Sequence, residues 1–234
     1  MNKILKYGLL GVAGAVAVVV AGAVYVAATF DPNAYKDKII QAVKDSKQRN
    51  LHLDGDIKLS FLPSIGVNLS KVSLSEFKSD KEFAAIEAVR VSLLLWPLLS
   101  KQVVVDEVAL NGLKATLIKH KDGTTNVDDL LGGKDAKPAE THQPSQQGQP
   151  VKFDIASVAV AKTDLSYRDE STGVQYAIKD LNLKTGRIAN GAPSKIDLSL
   201  HVQANQPKLD INTQLKATLI FDLDKQYYQL QNLD

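Results

Sequence analysis

The chain has 234 residues, of which 44% are hydrophobic and 23% charged; this is typical of a folded globular protein and excludes a disordered one. Its net charge is only +2, and no run of lysine and arginine points to nucleic-acid binding. Because it contains no cysteine, disulfides, thiolate metal sites and cysteine nucleophiles are excluded.

The N-terminal segment is a long uncharged apolar stretch. From Tyr7 to Phe30 there is no charged residue, and a helix of these 24 residues would be roughly 36 Å long, enough to cross a bilayer. A cleaved signal peptide is the alternative, since Ala21-Gly22-Ala23 fits a cleavage site. The stretch is longer than the roughly 7–15 residues of a signal-peptide core. We therefore predict a single-pass anchor at residues 1–30, with the N-terminus cytoplasmic and the rest exported.

A short amphipathic helix is predicted at residues 31–50. Asp31 is a suitable N-cap and Pro32 suits the first turn. Tyr35, Ile39 and Val43 recur at helical spacing and form an apolar stripe. The helix could lie at a membrane surface, close the end of a sheet or pack on a core, and the last is the simplest expectation.

From Leu51 onward the hydrophobic period is two, which predicts strands. We predict a first β lobe at residues 51–131 and a second β lobe at residues 151–234. Between them, residues 132–150 are rich in Pro, Gln and Gly and are predicted to form a flexible linker. We expect about ten strands, with turns at Asp54-Gly55, at Asn111-Gly112 and within 209–223. After Val67 and Leu69, a step of three leads to Val72 and Leu74. Such a step reverses the apolar face unless a bulge absorbs the extra residue.

Two segments match at an offset of 50 residues. The stretch from Val103 to Leu110 aligns with the stretch from Phe153 to Val160, and the match extends to Gly123 and Gly173. This favours a repeated unit in an array that grows by adding strands. The alternative is a chance likeness between two similar hairpins.

No reaction centre is evident. His52, His120, His142 and His201 share no ligand spacing, and we interpret them as surface residues. Asp106 and Glu107 are neighbours on a strand and must point to opposite faces, whereas the pair 128–129 suits a turn or a helix cap. The sequence predicts no enzyme, no cofactor and no metal site.

The remaining question is what covers the apolar side of so many strands. A half-buried sheet must place that side against something, and the predicted helices are too few. One solution is a β-sandwich. The other is a long, curved antiparallel sheet that forms an open groove holding lipid chains. For the groove, the candidate lining residues are Leu93, Leu95, Val103, Val105, Val108, Leu110, Phe153, Ile155, Val158 and Val160.

Several short motifs, taken in order, resemble the N-terminal region of the AsmA family of bacterial envelope proteins. They are residues 30–33 (FDPN), 53–57 (LDGDI), 62–67 (LPSIGV), 93–100 (LLLWPLLS), 103–112 and 122–126 (DGTTN). The resemblance covers nearly the whole chain. It implies an anchor in the bacterial inner membrane, a periplasmic body and a likeness to bridge-like lipid-transfer proteins of the chorein type. No catalytic motif is defined for the family, so no catalytic residue is carried over.

The resemblance leads to a functional expectation. We expect passive phospholipid transfer and a part in outer-membrane assembly, with the bilayer, phospholipid acyl chains and an envelope protein as partners. The alternative is a non-enzymatic scaffold or regulator built as a closed β-sandwich. Family members are usually longer, and ten or eleven strands at about 4.8 Å give a trough of only roughly 50 Å. Since alternation continues to Asp234, we expect a truncated product or a trough completed by a partner.

Overall fold

The computed structural model of the chain describes residues 30–61, 64–100, 104–131, 154–222 and 225–234. A 3-10 helix at Pro32–Tyr35 leads into helix α1 at Lys36–Lys47, and helix α2 is Leu95–Leu99. The strands are β1 Leu51–Leu53, β2 Lys58–Ser60, β3 Ser64–Ser75, β4 Glu82–Leu94, β5 Val105–Asn111, β6 Lys114–Lys119, β7 Asp154–Asp169, β8 Gln175–Thr185, β9 Ile188–Ala189, β10 Ser194–Asn205, β11 Lys208–Asp222 and β12 Tyr227–Gln231.

All twelve described strands belong to one sheet. Their order is β1, β3, β4, β5, β7, β8, β10, β11, β12; in addition β2 pairs with β3, β6 with β4 and β7, and β9 with β7. The prediction of a mainly β chain is confirmed. The prediction of a purely antiparallel sheet is wrong, because β5 and β6 pair with β7 in parallel. A parallel pair needs a long crossover connection, and residues 120–153 provide its length.

The offset of 50 residues is the register of this parallel pairing. Val108 pairs with Val158, Leu110 with Val160 and, further along, residue 115 with residue 165. Side-chain contacts follow the same offset, since the hydroxyls of Thr116 and Ser166 lie 2.8 Å apart. The similarity found in the sequence therefore relates two neighbouring strand lines of one sheet.

The chain does not reverse at Gly55 or Gly112, where the sequence predicted turns. At each glycine one strand ends and the next continues in the same direction along the same neighbouring strand. On either side of Gly55, β1 and β2 both pair antiparallel with β3. A Cβ at Gly55 would lie 2.3 Å from the carbonyl oxygen of Ser70, so only glycine allows this approach. On either side of Gly112, β5 and β6 both run parallel to β7. The turn expected within 209–223 is likewise absent from the described residues 208–222, which form the single strand β11.

Local signals explain the N-terminal helices. The Asp31 carboxylate accepts a hydrogen bond from the Asn33 backbone N–H at 2.9 Å, as predicted for a cap. Helix α1 ends at Lys47, earlier than predicted, because Gln48 adopts the left-handed conformation at φ 53°. No residue of α1 is buried, so the expectation of a core-packing helix is wrong.

Helix α1 flanks the edge of the sheet formed by β1 and β2. The Asn33 side chain donates to the Ile57 carbonyl at 3.3 Å and accepts from the Ile57 N–H at 2.9 Å. Near the other end of the helix, the Gln48 carbonyl accepts from the Lys78 N–H in the loop after β3. The helix is thus tied to this edge of the sheet at both of its ends.

Candidate functional site: an uncovered apolar face

A first row of apolar side chains crosses seven strands, from β3 to β11. Residues paired across neighbouring strands point to the same side of a sheet, and each member of this row pairs with the next. The upper row consists of Leu69, Val89, Leu110, Val160, Leu183, Leu198 and Leu215.

A second row of apolar side chains crosses the sheet close to the C-terminal end of helix α1. It begins in β1 and reaches β11 through successive pairs. The lower row consists of Leu51, Leu74, Ala84, Ala115, Leu165, Ile178, Val202 and Ile211.

Strands β10 and β11 show that both rows lie on the same side. They pair without interruption from Ser194–Leu219 to Asn205–Lys208. Leu198 of the upper row and Val202 of the lower row are four residues apart on β10, so they point to one side. In β8, however, Leu183 and Ile178 are an odd number of positions apart, and in a regular strand they would point to opposite sides. Asp180, with φ 47°, lies between them and absorbs the extra residue.

Similar left-handed residues occur at neighbouring positions of the sheet. We call them the bulge line: Lys71, Gly112, Lys162 and Asp180. In β3, Lys71 falls between Leu69 and Val72, where the sequence takes its step of three. In β3, β7 and β8, and between β5 and β6, the residue of the bulge line keeps the apolar side chains of both rows on one side of the sheet.

The other side of the sheet carries polar or small residues. The row next to the upper row consists of Asn68, Arg90, Ala109, Ala159, Lys184, Asp197 and Lys216. Arg90 forms an ion pair with Glu107 at 3.0 Å on this side. The two sides of the sheet therefore differ sharply in polarity.

The apolar side is only partly covered, because every residue of the two rows is half-buried except Ile211, which is exposed. Val91 is 43% exposed, Leu117 37% and Ile211 45%. In the described part of the chain only five hydrophobic residues are buried: Ile57, Ile118, Ala189, Ala217 and Phe221. All the described strands lie in one hydrogen-bonded sheet, not in two separate ones.

The predicted lining residues fall into three groups. Leu93, Val105 and Ile155 pair with one another across β4, β5 and β7. In the same strands, Val108 pairs with Val158 and Leu110 with Val160, so the structure brings seven predicted residues onto the apolar side. Leu95 was predicted on a strand but begins helix α2, because β4 ends at Leu94. Val103 and Phe153 lie outside the described residues. Whether any of the ten contacts lipid stays a prediction.

Sequence reasoning did not single out a shallow depression of about 260 Å³ at the lower row. Its lining includes Leu117, Tyr167 and Tyr176 together with lower-row residues from β6, β7 and β8. The rings of Tyr167 and Tyr176 stack with centroids 6.0 Å apart. The offset of 50, which aligns Leu117 with Tyr167, was the signal that could have located this depression.

A buried arginine fixes the turn before the linker to the end of α1. Arg49 is fully buried, and its guanidinium donates to both carboxylate oxygens of Asp129, at 2.7 and 2.6 Å. It also donates to the carbonyl oxygens of Ser75 and Asn126 and lies over the ring of Phe83. The hydrogen bonds from Arg49 hold the pKa of the Asp129 carboxyl below its usual range. Sequence reasoning missed this pair because its members are 80 positions apart.

The turn itself agrees with the sequence prediction for residues 128–129. The Asp128 carboxylate accepts from the backbone N–H and the hydroxyl of Thr125, and these bonds lower the pKa of that carboxyl. Within the described ranges, no three residues of the His, Cys, Asp and Glu types are placed to hold a metal ion. The described helices include none long and apolar enough to cross a membrane, and the predicted anchor at residues 1–30 lies almost entirely outside the described residues.

The family model described as AsmA family matches residues 1–232. The chain belongs to the AsmA family. It is 25% identical over 167 residues to Protein AsmA of Escherichia coli (strain K12), an alignment that covers 71% of this chain and 26% of that protein. The AsmA-family chain thus aligns with about a quarter of this curated relative. No solved structure matches it significantly.

Proposed function

We propose that this AsmA-family chain is a non-enzymatic lipid-handling protein. It is anchored in the bacterial inner membrane with its body in the periplasm, transfers phospholipid passively and contributes to outer-membrane assembly. The apolar face from β3 to β11 carries this proposal. Membership of the family and the charge-free stretch at residues 7–30 support the envelope location.

The mechanism follows from the difference between the two sides of the sheet. Moving an acyl chain into water costs about 0.8 kcal/mol per methylene group. An apolar surface that extends across several strands removes most of that cost, because the chain exchanges one apolar environment for another. The headgroup stays in water at the margin of the face. The face itself supplies no direction, which must come from the lipid supply and demand at its two ends.

The dimensions limit what one chain does. Nine strands follow one another across the sheet, and eight intervals of about 4.8 Å span roughly 38 Å. This is shorter than the trough expected from the sequence, because β2, β6 and β9 prolong existing strand lines and add no width. The span resembles the thickness of one bilayer, about 40–45 Å with headgroups. Bridging two membranes therefore requires further protein.

Lipid analysis of the purified protein tests the proposal. We expect phospholipid in the detergent-purified chain by mass spectrometry. The double variant Val91→Asp/Ile211→Asp should lose most of it, because both side chains are exposed on the apolar side. The matched control Gln175→Asp/Asn212→Asp introduces the same charge at exposed positions that pair with residues of the polar side, and should retain lipid.

The scaffold alternative predicts other results in the same samples. A well-folded chain without lipid, or equal loading of the two double variants, would contradict lipid handling. Crosslinking from the polar side would then capture an envelope protein, whereas crosslinking from the apolar side would capture nothing. Circular dichroism of each variant separates loss of lipid from loss of fold.

A further inference from the structure

The outward side of helix α1 is an apolar surface that no described residue covers. Tyr35, Ile39 and Ala42 are spaced by four and three positions, so they share one side of the helix. Tyr35 is 46% exposed and Ile39 41%, and Ala42 is exposed as well. Ile40 and Val43, on a different side, are half-buried. The helix thus has two apolar sides, of which only one faces the protein.

An aromatic pair extends this surface towards the start of the helix. The rings of Phe30 and Tyr35 stack with centroids 5.6 Å apart, and Phe30 is 44% exposed. The Lys38 ammonium lies 5.5 Å from the centre of the Tyr35 ring. Aromatic rings beside a lysine are typical of the boundary between water and lipid, where the rings enter the headgroup layer and the ammonium stays in water.

The sequence identifies the surface that covers these residues. Phe30 is the last residue of the charge-free stretch that begins at Tyr7, and its ring already contacts Tyr35. If that stretch crosses a bilayer, its final residue lies at the bilayer surface, and so does the aromatic pair. A protein partner on this side of the helix would have to displace the lipid next to the anchor.

We propose that the outward side of α1, formed by Phe30, Tyr35, Ile39 and Ala42 with Lys38, rests in the headgroup layer of the bilayer that holds the anchor. This interaction surface rests on the proposed anchor and deepens the proposed function. The area is small and Lys38 is its only charged residue, so it orients an anchored protein and does not recruit one from solution.

The orientation has a consequence for lipid access. Helix α1 is fixed to the β1–β2 edge through Asn33 and Ile57, and Arg49 fixes the chain just beyond it. Leu51 begins the lower row two residues after Arg49. A bilayer beneath α1 therefore meets the sheet at the β1–β3 edge. Phospholipid is exchanged between this bilayer and the apolar face at that edge.

Labelled cysteines in the complete chain test the proposal, since the native sequence has none. The variants Ile39→Cys and Gln41→Cys each receive a nitroxide label in nanodiscs of phosphatidylethanolamine and phosphatidylglycerol. Electron paramagnetic resonance then measures collisions with oxygen, which partitions into lipid, and with a water-soluble nickel complex. We expect a several-fold higher ratio of oxygen to nickel collisions at residue 39 than at residue 41, which is exposed but is not part of the apolar outward surface. The proposal would be overturned if the collision ratios at residues 39 and 41 were equal to each other and to the ratio at an Asn212→Cys label on the polar side of β11.

A second measurement separates this proposal from the proposed function. Vesicle flotation after an alkaline wash reports the anchor, and mass spectrometry reports lipid on the face. A chain that floats and carries phospholipid, but whose residue 39 label stays in water, overturns the α1 surface alone. Loss of flotation overturns both the anchor and this surface. The variant Tyr35→Asp/Ile39→Asp should still float and carry lipid, but should raise nickel access at a label on Ala42→Cys to the level of residue 41.

Discussion

The two edges of the sheet are built differently. The N-terminal edge consists of the three-residue strands β1 and β2, separated by Gly55, with α1 beside them. At the opposite edge, β12 pairs with β11 only over Thr218–Asp222, and Asp234 exchanges two backbone hydrogen bonds with Lys216. Residues 208–215 of β11 have no partner on this side in the described part of the chain. Short strands and a covering helix prevent further pairing, whereas an open strand invites it.

The difference shows where the sheet accepts additional strands. Strand β12 runs along β11 towards the unpaired residues, so an extended segment placed after it would continue the same antiparallel ladder. Such a segment would lengthen the apolar face without changing its polarity. One edge is closed and fixed in place, and the other is open to pairing with extended polypeptide.

The largest expected effect comes from breaking the closed edge at Arg49. Substitution Arg49→Ala leaves Asp129 and two carbonyl groups without their buried donor and should lower the free energy of unfolding by about 3 kcal/mol. Arg49→Lys keeps the charge but loses the paired hydrogen bonds, so we expect an intermediate loss. Urea denaturation measures both. Ala substitution of Lys225, whose side chain is 80% exposed and pairs with Asp222, serves as the control; because exposed ion pairs contribute little to stability, the midpoint should change only slightly. Equal midpoints for the Arg49→Ala and control variants would contradict the difference between the edges.

A smaller effect should distinguish the two sides of β11. The Lys216 backbone bonds outward to Asp234, so by alternation the N–H of Asn212 also points outward, while that of Thr213 points to β10. Thr213→Pro should therefore cost roughly 1–3 kcal/mol through a lost ladder hydrogen bond, and Asn212→Pro clearly less. Thermal unfolding of the two variants checks this. Equal losses would show that the outward side of β11 is already paired.

The smallest effect is the pH dependence of the closed edge. Because Arg49 lowers the pKa of Asp129 in the folded state, this contribution to stability is present above the ordinary aspartate pKa of about 3.9. It is lost as the pH falls through the lower folded-state value. The wild-type chain should lose more stability than Asp129→Asn between about pH 5 and pH 2. At the open edge, Asp210 is 62% exposed beside His201, and Asp210→Asn should alter the acid slope less. Denaturation at a series of pH values decides between these slopes.

The sequence predicted the apolar strands well because the two-residue period is a local property of each strand. The step of three between Leu69 and Val72 left open whether the apolar face is reversed, and the structure has the left-handed residue Lys71 between them. The prediction failed at Gly55 and Gly112, because a glycine in a strand pattern suits a hairpin and a bulge equally. The parallel contact between β5 and β7 and the Arg49–Asp129 pair join residues far apart in the chain. Local periodicity carries no information about such contacts.

The bulge line places a constraint on how this sequence can change. Deleting one residue at Lys71 would place Val72 and Leu74 on the polar side while their partners in β4 stayed on the apolar side. A matching deletion in each neighbouring strand would be needed to restore the face. The lengths of neighbouring strands are therefore coupled, because a change in one must be matched in the next to keep paired residues on the same side. A point substitution within an apolar row changes one position, whereas a single inserted or deleted residue should invert half a strand. Length changes should therefore concentrate in the connections, such as residues 132–150, and spare residues 64–75 and 154–169.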